Sequence, residues 1–331
     1  MDAYQNLHVP SYIRDDNLSE ECKNLISSLP KDKDLMGITL CNYKGFWYYP
    51  NTLQAILDVE KNFRPRDTDI IVASFPKSGT TWLKALVFAL VQRGKYRANP
   101  KGHPLLHENP HDLVPFVDID LYYNGQIPDL TKFPNHSLFG THMPMSLLLE
   151  TVKGVSCKIV YICRNMKDVM VSNWRFRGML HHKDMHGDTL DAMFDSYRRG
   201  VHFYGPFWDN VLGYWKQSLE NPKQVLFMRY EEIKENPKAQ LKRLAEFLGC
   251  PFSEEEEESG TMDEILELCS LRNLRDLEAN RHGKKTRFDA DCSVFFRKGE
   301  AGDWKNHLTH DMGRELDEIV KEKLQGSGLK F

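Results

Sequence analysis

Three largely apolar, strand-like runs stand out from a polar background: residues 70–74 (IIVAS), 157–163 (CKIVYIC) and 224–228 (QVLFM). Each has strand length and none shows the alternation of a one-faced strand, which predicts strands buried on both sides. A helical pattern follows each run, over residues 80–93, 167–174 and 237–248. In the third, Leu241, Leu244, Ala245 and Leu248 recur at helical spacing and Gly249 supplies a stop. In the first, Trp82, Ala85, Leu86, Ala89 and Leu90 share a face, while Val87, Phe88 and Val91 make the helix apolar nearly all round. This order predicts an α/β fold: a central parallel sheet flanked by helices, as a single domain over residues 36–331. Residues 1–35 are polar and predict a tail or a loosely attached helix. The acidic run 254–258 predicts a solvated helix start, with Ser253 as its cap. In parallel sheets ligands bind beyond the carboxyl ends of the strands, so those ends carry the search for chemistry.

Composition narrows the class. Of 331 residues, 41% are hydrophobic and 27% charged, as in soluble globular proteins, and the net charge of −3 argues against a nucleic-acid partner. The N-terminal residues lack the apolar core of a signal peptide. The longest apolar patch, from Trp82 to Val91, is interrupted by Lys84 and falls short of the ~18 residues of a membrane span. Seven widely spaced cysteines without a CxxC pair point to reduced thiols and a cytoplasmic protein. The triplets starting at Asn17 and Asn135 then match a glycosylation pattern by chance.

Residues 74–86 (SFPKSGTTWLKAL) join the first strand to its helix. Ser78, Gly79, Thr80 and Thr81 stand at the helix start, where free backbone N–H groups favour an anion, and Lys77 adds a point charge. The order is wrong for the usual nucleotide loop, GxxxxGK[ST], because Lys77 precedes Gly79 and the first glycine is absent. A plain strand-to-helix turn with a solvated lysine is the alternative. After the second strand come Arg164 and, two helical turns on, Ser172; an arginine fork suits phosphate oxygens, and a surface ion pair with Asp168 is the simpler account. Residues 297–306 (RKGEAGDWKN) offer Arg297, Lys298 and a Gly299 N–H as a phosphate nest, following a basic stretch with Arg281, Lys284, Lys285 and Arg287. A solvated basic loop would read the same.

Together these three segments closely resemble the cytosolic sulfotransferases, over residues 60–308, and residues 109–116 (NPHDLVPF) and the ending GSGLKF look most like the plant branch. The resemblance implies the donor 3′-phosphoadenosine 5′-phosphosulfate, charged at both ends of one adenosine, and no metal. It implies that Lys77, Ser78, Gly79, Thr80 and Thr81 hold the 5′-phosphate and sulfuryl oxygens. Trp82 and Tyr230 would lie on the adenine side, and Arg164, Ser172, Arg297, Lys298 and Gly299 at the 3′-phosphate. Residues 141–144 (THMP) resemble the family's THxP segment, which implies that His142 is the base for an acceptor hydroxyl and Lys77 the catalytic cation; an ordinary imidazole titrates near neutrality, as that role asks. Sequence alone would leave His142 one of thirteen histidines.

Two departures matter. Many animal members carry a lysine where this chain has Gly140, so Lys77 is expected to bear more of the stabilisation. The animal dimer pattern KxxxTVxxxE would fall on Lys305, Thr309, His310 and Arg314, with a reversed charge at its end, so a monomer is expected. Phe46, Trp47, Phe116, Trp174, Phe176 and Tyr204 are acceptor-pocket candidates, each equally well explained as core. They suit a small apolar plant metabolite such as a flavonoid, brassinosteroid or desulfoglucosinolate; Arg175 and His181-His182 would suit a polar one. A nucleoside or nucleotide kinase, and a catalytically silent nucleotide-binding module, are the competing classes.

Overall fold

The computed structural model describes residues 10–96, 100–134, 137–180, 187–285 and 290–331. Asn135, His181, His182 and Arg287 lie outside them. The described chain opens with helix α1 (Glu20–Ser28) and a small antiparallel sheet, β1 (Lys31–Lys33), β2 (Thr39–Tyr43) and β3 (Phe46–Tyr48). Helix α2 (Pro50–Asn62) leads to the central sheet, whose strands are β4 (Ile70–Ser74), β5 (Leu138–Thr141), β6 (Lys158–Cys163) and β7 (Val225–Arg229). All four are parallel, in the order β5-β4-β6-β7, with Ile70 opposite Leu138, Ile71 opposite Ile159 and Ile159 opposite Val225. The order reverses at β4, so a crevice opens at its carboxyl end.

The continuous apolar runs are explained by two cores. Ile70, Val72, Val160, Ile162, Leu226 and Met228 face helix α3 (Thr80–Tyr96) and Leu241 and Leu244 of the helix Pro237–Phe247. Ile71, Ala73, Ile159, Tyr161 and Phe227 face the other core, shared with Leu53, Ile56 and Val59 of α2. Period-two alternation is therefore present, but both faces are dry.

Helix α6 (Met166–Leu180) runs past the predicted end at 174, and the predicted helix at 254–258 carries a full capping box between Ser253 and Glu256. Two short α-helices lie between α3 and α6: α4 (Pro110–Leu113) and α5 (Met145–Thr151). Strand β5 went unpredicted: its four residues, LFGT, include a glycine and are too few to show a period. The seven cysteines are free thiols, six of them buried.

Residues 10–35 are not a loose tail. Tyr12 and Ile13 are buried in the core. Polar side chains of α2 bind their backbone: Thr52 Oγ1 donates to the Tyr12 carbonyl at 2.8 Å, and Asn51 Nδ2 to that of Ser11 at 2.9 Å. Two apolar residues among polar ones carry no period, so this docking was invisible in the pattern.

Candidate active site

Each central strand ends on a residue singled out above. The loop with Lys77 follows β4, His142 follows β5, Arg164 follows β6 and Tyr230 follows β7. All four line one cavity of about 370 Å³. Ser172 of α6 and Arg297, Lys298 and Gly299 of the C-terminal loop line it too, as do Gly79, Thr80, Thr81 and Trp82. Residues far apart in sequence thus converge because parallel strands present all their carboxyl ends on one side.

The loop is tightly determined. Lys77 has φ 70°, a left-handed conformation uncommon for a side-chain-bearing residue. Gly79 has φ 111°, and a Cβ there would sit 2.8 Å from Tyr230 Cδ2. Only glycine lets the backbone pass this close to the ring. The buried Ser78 hydroxyl has no hydrogen-bond partner. The Lys77 ammonium lies 3.6 Å from the centre of the Phe176 ring. Burial, joined by the Arg297 and Arg164 guanidiniums, pushes it down to about 7.

A second group of cations follows the neighbouring strand β6. Arg164 spans Asp168, at 3.4 Å, and the Glu300 carbonyl, with its guanidinium 4.4 Å from the Tyr230 ring centre and its buried Nε without a partner. Asp168 is no surface residue. It accepts from the backbone N–H groups of Gly302 (2.7 Å) and Trp304 (3.0 Å), clamping the C-terminal loop onto α6. Arg297 and Lys298 both bind the buried Asp303. Burial pushes its carboxyl up, but the hydrogen bonds from Lys298, Arg297 and Asn306 outweigh this and hold it well below the usual carboxylate range. So the predicted nest is a braced loop, not a solvated one. Trp82 meets Tyr230 edge to face at 5.4 Å, making an aromatic wall next to this cluster.

His142 is almost wholly buried. Its Nδ1 lies 2.8 Å from the Ser74 carbonyl oxygen, and its backbone N–H donates to Asp118 Oδ2 at 3.1 Å, an atom that also accepts from the Tyr204 hydroxyl at 2.6 Å. Burial pushes the imidazole down to about 3, far from the neutrality expected of an ordinary histidine. Burial likewise lifts Asp118 to about 6, against the hydrogen bonds from Tyr204 and His142. Gly140 leaves room for another buried lysine behind the cavity wall. Lys84, fully buried on α3, fills the space beside it: a Cβ on Gly140 would lie 2.5 Å from Lys84 Nζ.

Of the acceptor candidates, Phe116 and Phe176 line the cavity. Phe46, Trp47, Trp174 and Tyr204 do not: Phe46 belongs to the core, Trp47 exchanges backbone bonds with Tyr204 and Gly205, Trp174 donates to Thr189, and Tyr204 is fully buried on Asp118. Arg175 binds the face of Trp174 rather than the cavity. The missed wall residues include Tyr12, Tyr49, Phe203, Met193, Asp34 and Arg177. Asp34 and Arg177 form a buried ion pair to which Tyr49 adds a 2.6 Å hydrogen bond. The aromatic residues after Pro10 and Trp47 were the available signal.

Comparison with known proteins places this geometry. The sulfotransferase domain model matches residues 67–328. Cytosolic sulfotransferase 11 of Arabidopsis thaliana is 60% identical over 324 residues, covering 98% of this chain and 92% of that one. A crystal structure of an Arabidopsis thaliana sulphotransferase shares 40% identity at a TM-score of 0.76, covering 98% and 99%. A mouse sulfotransferase complexed with PAP shares 27% identity at a TM-score of 0.66, covering 87% and 95%.

Proposed function

Since the chain belongs to the sulfotransferase family and is a sulfotransferase, we propose that its cavity binds 3′-phosphoadenosine 5′-phosphosulfate between two cationic clusters and that His142 is the base for an acceptor hydroxyl. One observation carries this reading: the Lys77 loop after β4, and Arg164 after β6 with Arg297 and Lys298 of the C-terminal loop, bring cations from separate parts of the chain to a single cavity that His142 also lines. A triphosphate needs one continuous cradle, whereas a donor charged at both ends of an adenosine needs two. The residues fit the group. Ser78 Oγ and Arg164 Nε, one in each cluster, are buried without partners, and Gly79 keeps the loop open to a close-packed anion. When bound, the donor supplies a sulfuryl group attached to a phosphate.

The chain's own residues divide the remaining work. Ser78, Thr80, Thr81 and the backbone amides of the helix start orient the anion, with Gly79 giving them access. Trp82 and Tyr230 wall the base, and Arg164, Ser172, Arg297, Lys298 and Gly299 meet the 3′-phosphate. His142 takes the acceptor proton: a carbonyl oxygen can only accept, so the bond to Ser74 keeps the proton on Nδ1 and leaves Nε2 basic. Its low proton affinity in the empty cavity keeps it neutral, and the negative charge of a bound donor raises that affinity when the proton must be taken. Lys77 would stabilise charge growing on the departing phosphate oxygen, its proton affinity raised beside a bound anion so that it takes a proton from solvent. Orientation and electrostatic stabilisation supply most of the rate. In this reading no metal takes part.

The acceptor is a small, largely apolar plant metabolite with a hydroxyl, of the flavonoid, brassinosteroid or desulfoglucosinolate kind, lying against Phe116, Phe176, Tyr12, Tyr49 and Phe203. The protein works as a cytosolic monomer. Thermal melting with adenosine 3′,5′-bisphosphate in EDTA, beside ATP with magnesium, tests the reading. A ligand at ~100 times its Kd adds roughly 2.7 kcal/mol. Stabilisation by the bisphosphate without metal supports it, and stabilisation by Mg-ATP alone overturns it in favour of a kinase.

A further inference from the structure

We propose that Lys84, His111 and Thr81 form a one-way chain of hydrogen-bond donors that turns the single proton of the Thr81 hydroxyl toward the anion on the loop. The inference rests on the loop being the donor's anion site, as proposed above, and adds His111 and Lys84 as positioning residues.

The geometry is continuous. Lys84 lies three residues after Thr81 on α3, hence on the same face. Its Nζ is 3.3 Å from His111 Nδ1, and His111 Nε2 is 2.9 Å from Thr81 Oγ1. The His111 ring cannot turn freely. It stacks on Phe116 at 5.3 Å and 22°, and Phe295 closes the other approach at 4.5 Å. Its backbone N–H donates to Asn109 Oδ1 at 2.9 Å, and Asn109 is anchored in turn by a buried bond to Asn280. The Lys84 ammonium is seated 3.1 Å from the centre of the same Phe116 ring, where the negative face of the aromatic favours its charge. Gly140 leaves the room for it, as noted above.

Direction follows from donor chemistry. An ammonium has three donors and no acceptor, so His111 Nδ1 must accept from Lys84. A neutral imidazole accepting at Nδ1 carries its proton on Nε2. Nε2 therefore donates to Thr81 Oγ1 and occupies a lone pair of that oxygen. The hydroxyl proton remains for another acceptor, and Thr81 lines the cavity. Thr80 differs: its Oγ1 lies 2.6 Å from Ser74 Oγ, a hydroxyl pair without an imposed direction. The two neighbouring threonines thus have separate tasks. Thr80 ties the loop to the Ser74 strand end beside His142, while Thr81 is polarised by a buried cation through a histidine. Chains of this kind strengthen each member.

Two measurements test the chain. A long-range ¹H–¹⁵N spectrum of the histidine-labelled wild-type protein reads the tautomer of His111; the Nε2–H form is expected, and the Nδ1–H form overturns the proposal. Calorimetry with adenosine 3′,5′-bisphosphate then compares wild type, His111→Phe, Thr81→Val and the double variant, each checked for native melting. Phenylalanine keeps the ring between Phe116 and Phe295 but removes both nitrogens. Each single change is expected to weaken binding about tenfold, the scale of one hydrogen bond to a charged group, and the double variant to lose little more than either. Equal affinity of His111→Phe and wild type, or losses that multiply as for independent sites, overturns the chain while leaving the donor site standing. A wild-type protein that does not bind the bisphosphate overturns the donor reading and the aim assigned to Thr81 with it. If His111→Phe does not fold, the spectrum still decides.

Discussion

The Nδ1 atom of His142 lies 2.8 Å from the carbonyl oxygen of Ser74, the last residue of β4. One strand end thereby sets the tautomer of the residue that follows its neighbour. Removing the ring should cost turnover without emptying the donor site. His142→Ala is expected to lower kcat by 10²–10⁴, the range of general-base catalysis, with bisphosphate affinity within about twofold of wild type by calorimetry. A variant that retained the wild-type rate would assign the base elsewhere.

The same histidine and Lys77 set opposite limbs of a pH profile. As the proposed base His142 works when neutral, and burial holds it down to about 3, so kcat/KM should show no loss near pH 6.5 from this group. Lys77 is useful when charged, and it is held down to about 7. Binding an anion beside it raises its proton affinity. Bisphosphate binding should therefore take up a proton above about pH 7, and affinity should fall as pH rises through that range. Calorimetry at pH 8 in buffers of different ionisation enthalpy reads the uptake directly; Lys77→Met should abolish it.

Gly79 and Tyr230 are in contact across two strand ends. Gly79→Ala places a Cβ 2.8 Å from the Tyr230 ring at a φ of 111°. The expected cost is about 1–3 kcal/mol in urea unfolding, together with loss of bisphosphate binding as the ring is displaced. Alanine at the exposed Gly249, where a Cβ meets nothing within 4 Å, shares the positive φ but should leave binding intact.

Asp303 holds two of the proposed 3′-phosphate cations. Asp303→Asn should destabilise the protein by about 1–3 kcal/mol at pH 7, a range discounted because Lys298 is half-exposed. Its folded carboxyl is depressed, so its contribution is present above the ordinary carboxylate range and lost as pH falls below about 4. The stability gap between wild type and variant, from urea unfolding across pH 3 to 7, should narrow only at the acid end. A gap independent of pH would mean that Asp303 acts through packing.

Legibility followed locality. The lysine loop, the strands on which β4, β6 and β7 are built, and the capped acidic helix are each specified by neighbours within a few positions, so pattern and turn chemistry reach them. Strand β5 exists because β4 offers it a partner; four residues with one glycine have no preference strong enough to announce it. Tyr12 and Ile13 were hidden among polar residues because their burial is arranged by Asn51 and Thr52, about forty positions away.

The candidate site divides along the same line. Residue types at the strand ends could be read directly: a lysine and threonines at a helix start, an arginine after a strand, a histidine in THMP. Only the assembled sheet decided what those groups are. Burial took the imidazole and the Lys77 ammonium far from their ordinary protonation, because desolvation depends on everything packed around a group and on nothing beside it in the chain. Asp303 and Asp168 turned a loop that reads as free cations into a braced one. Lys84 reached the Phe116 ring behind the cavity from the middle of an apolar helix because Gly140 of another strand left it room, and Phe116 and Phe176 were joined in the pocket's aromatic wall by Tyr12, Tyr49 and Phe203 instead of Phe46, Trp47, Trp174 and Tyr204. Sequence specifies which chemical groups are available; their charge, direction and company are set by distances that close only when the parallel strand ends meet.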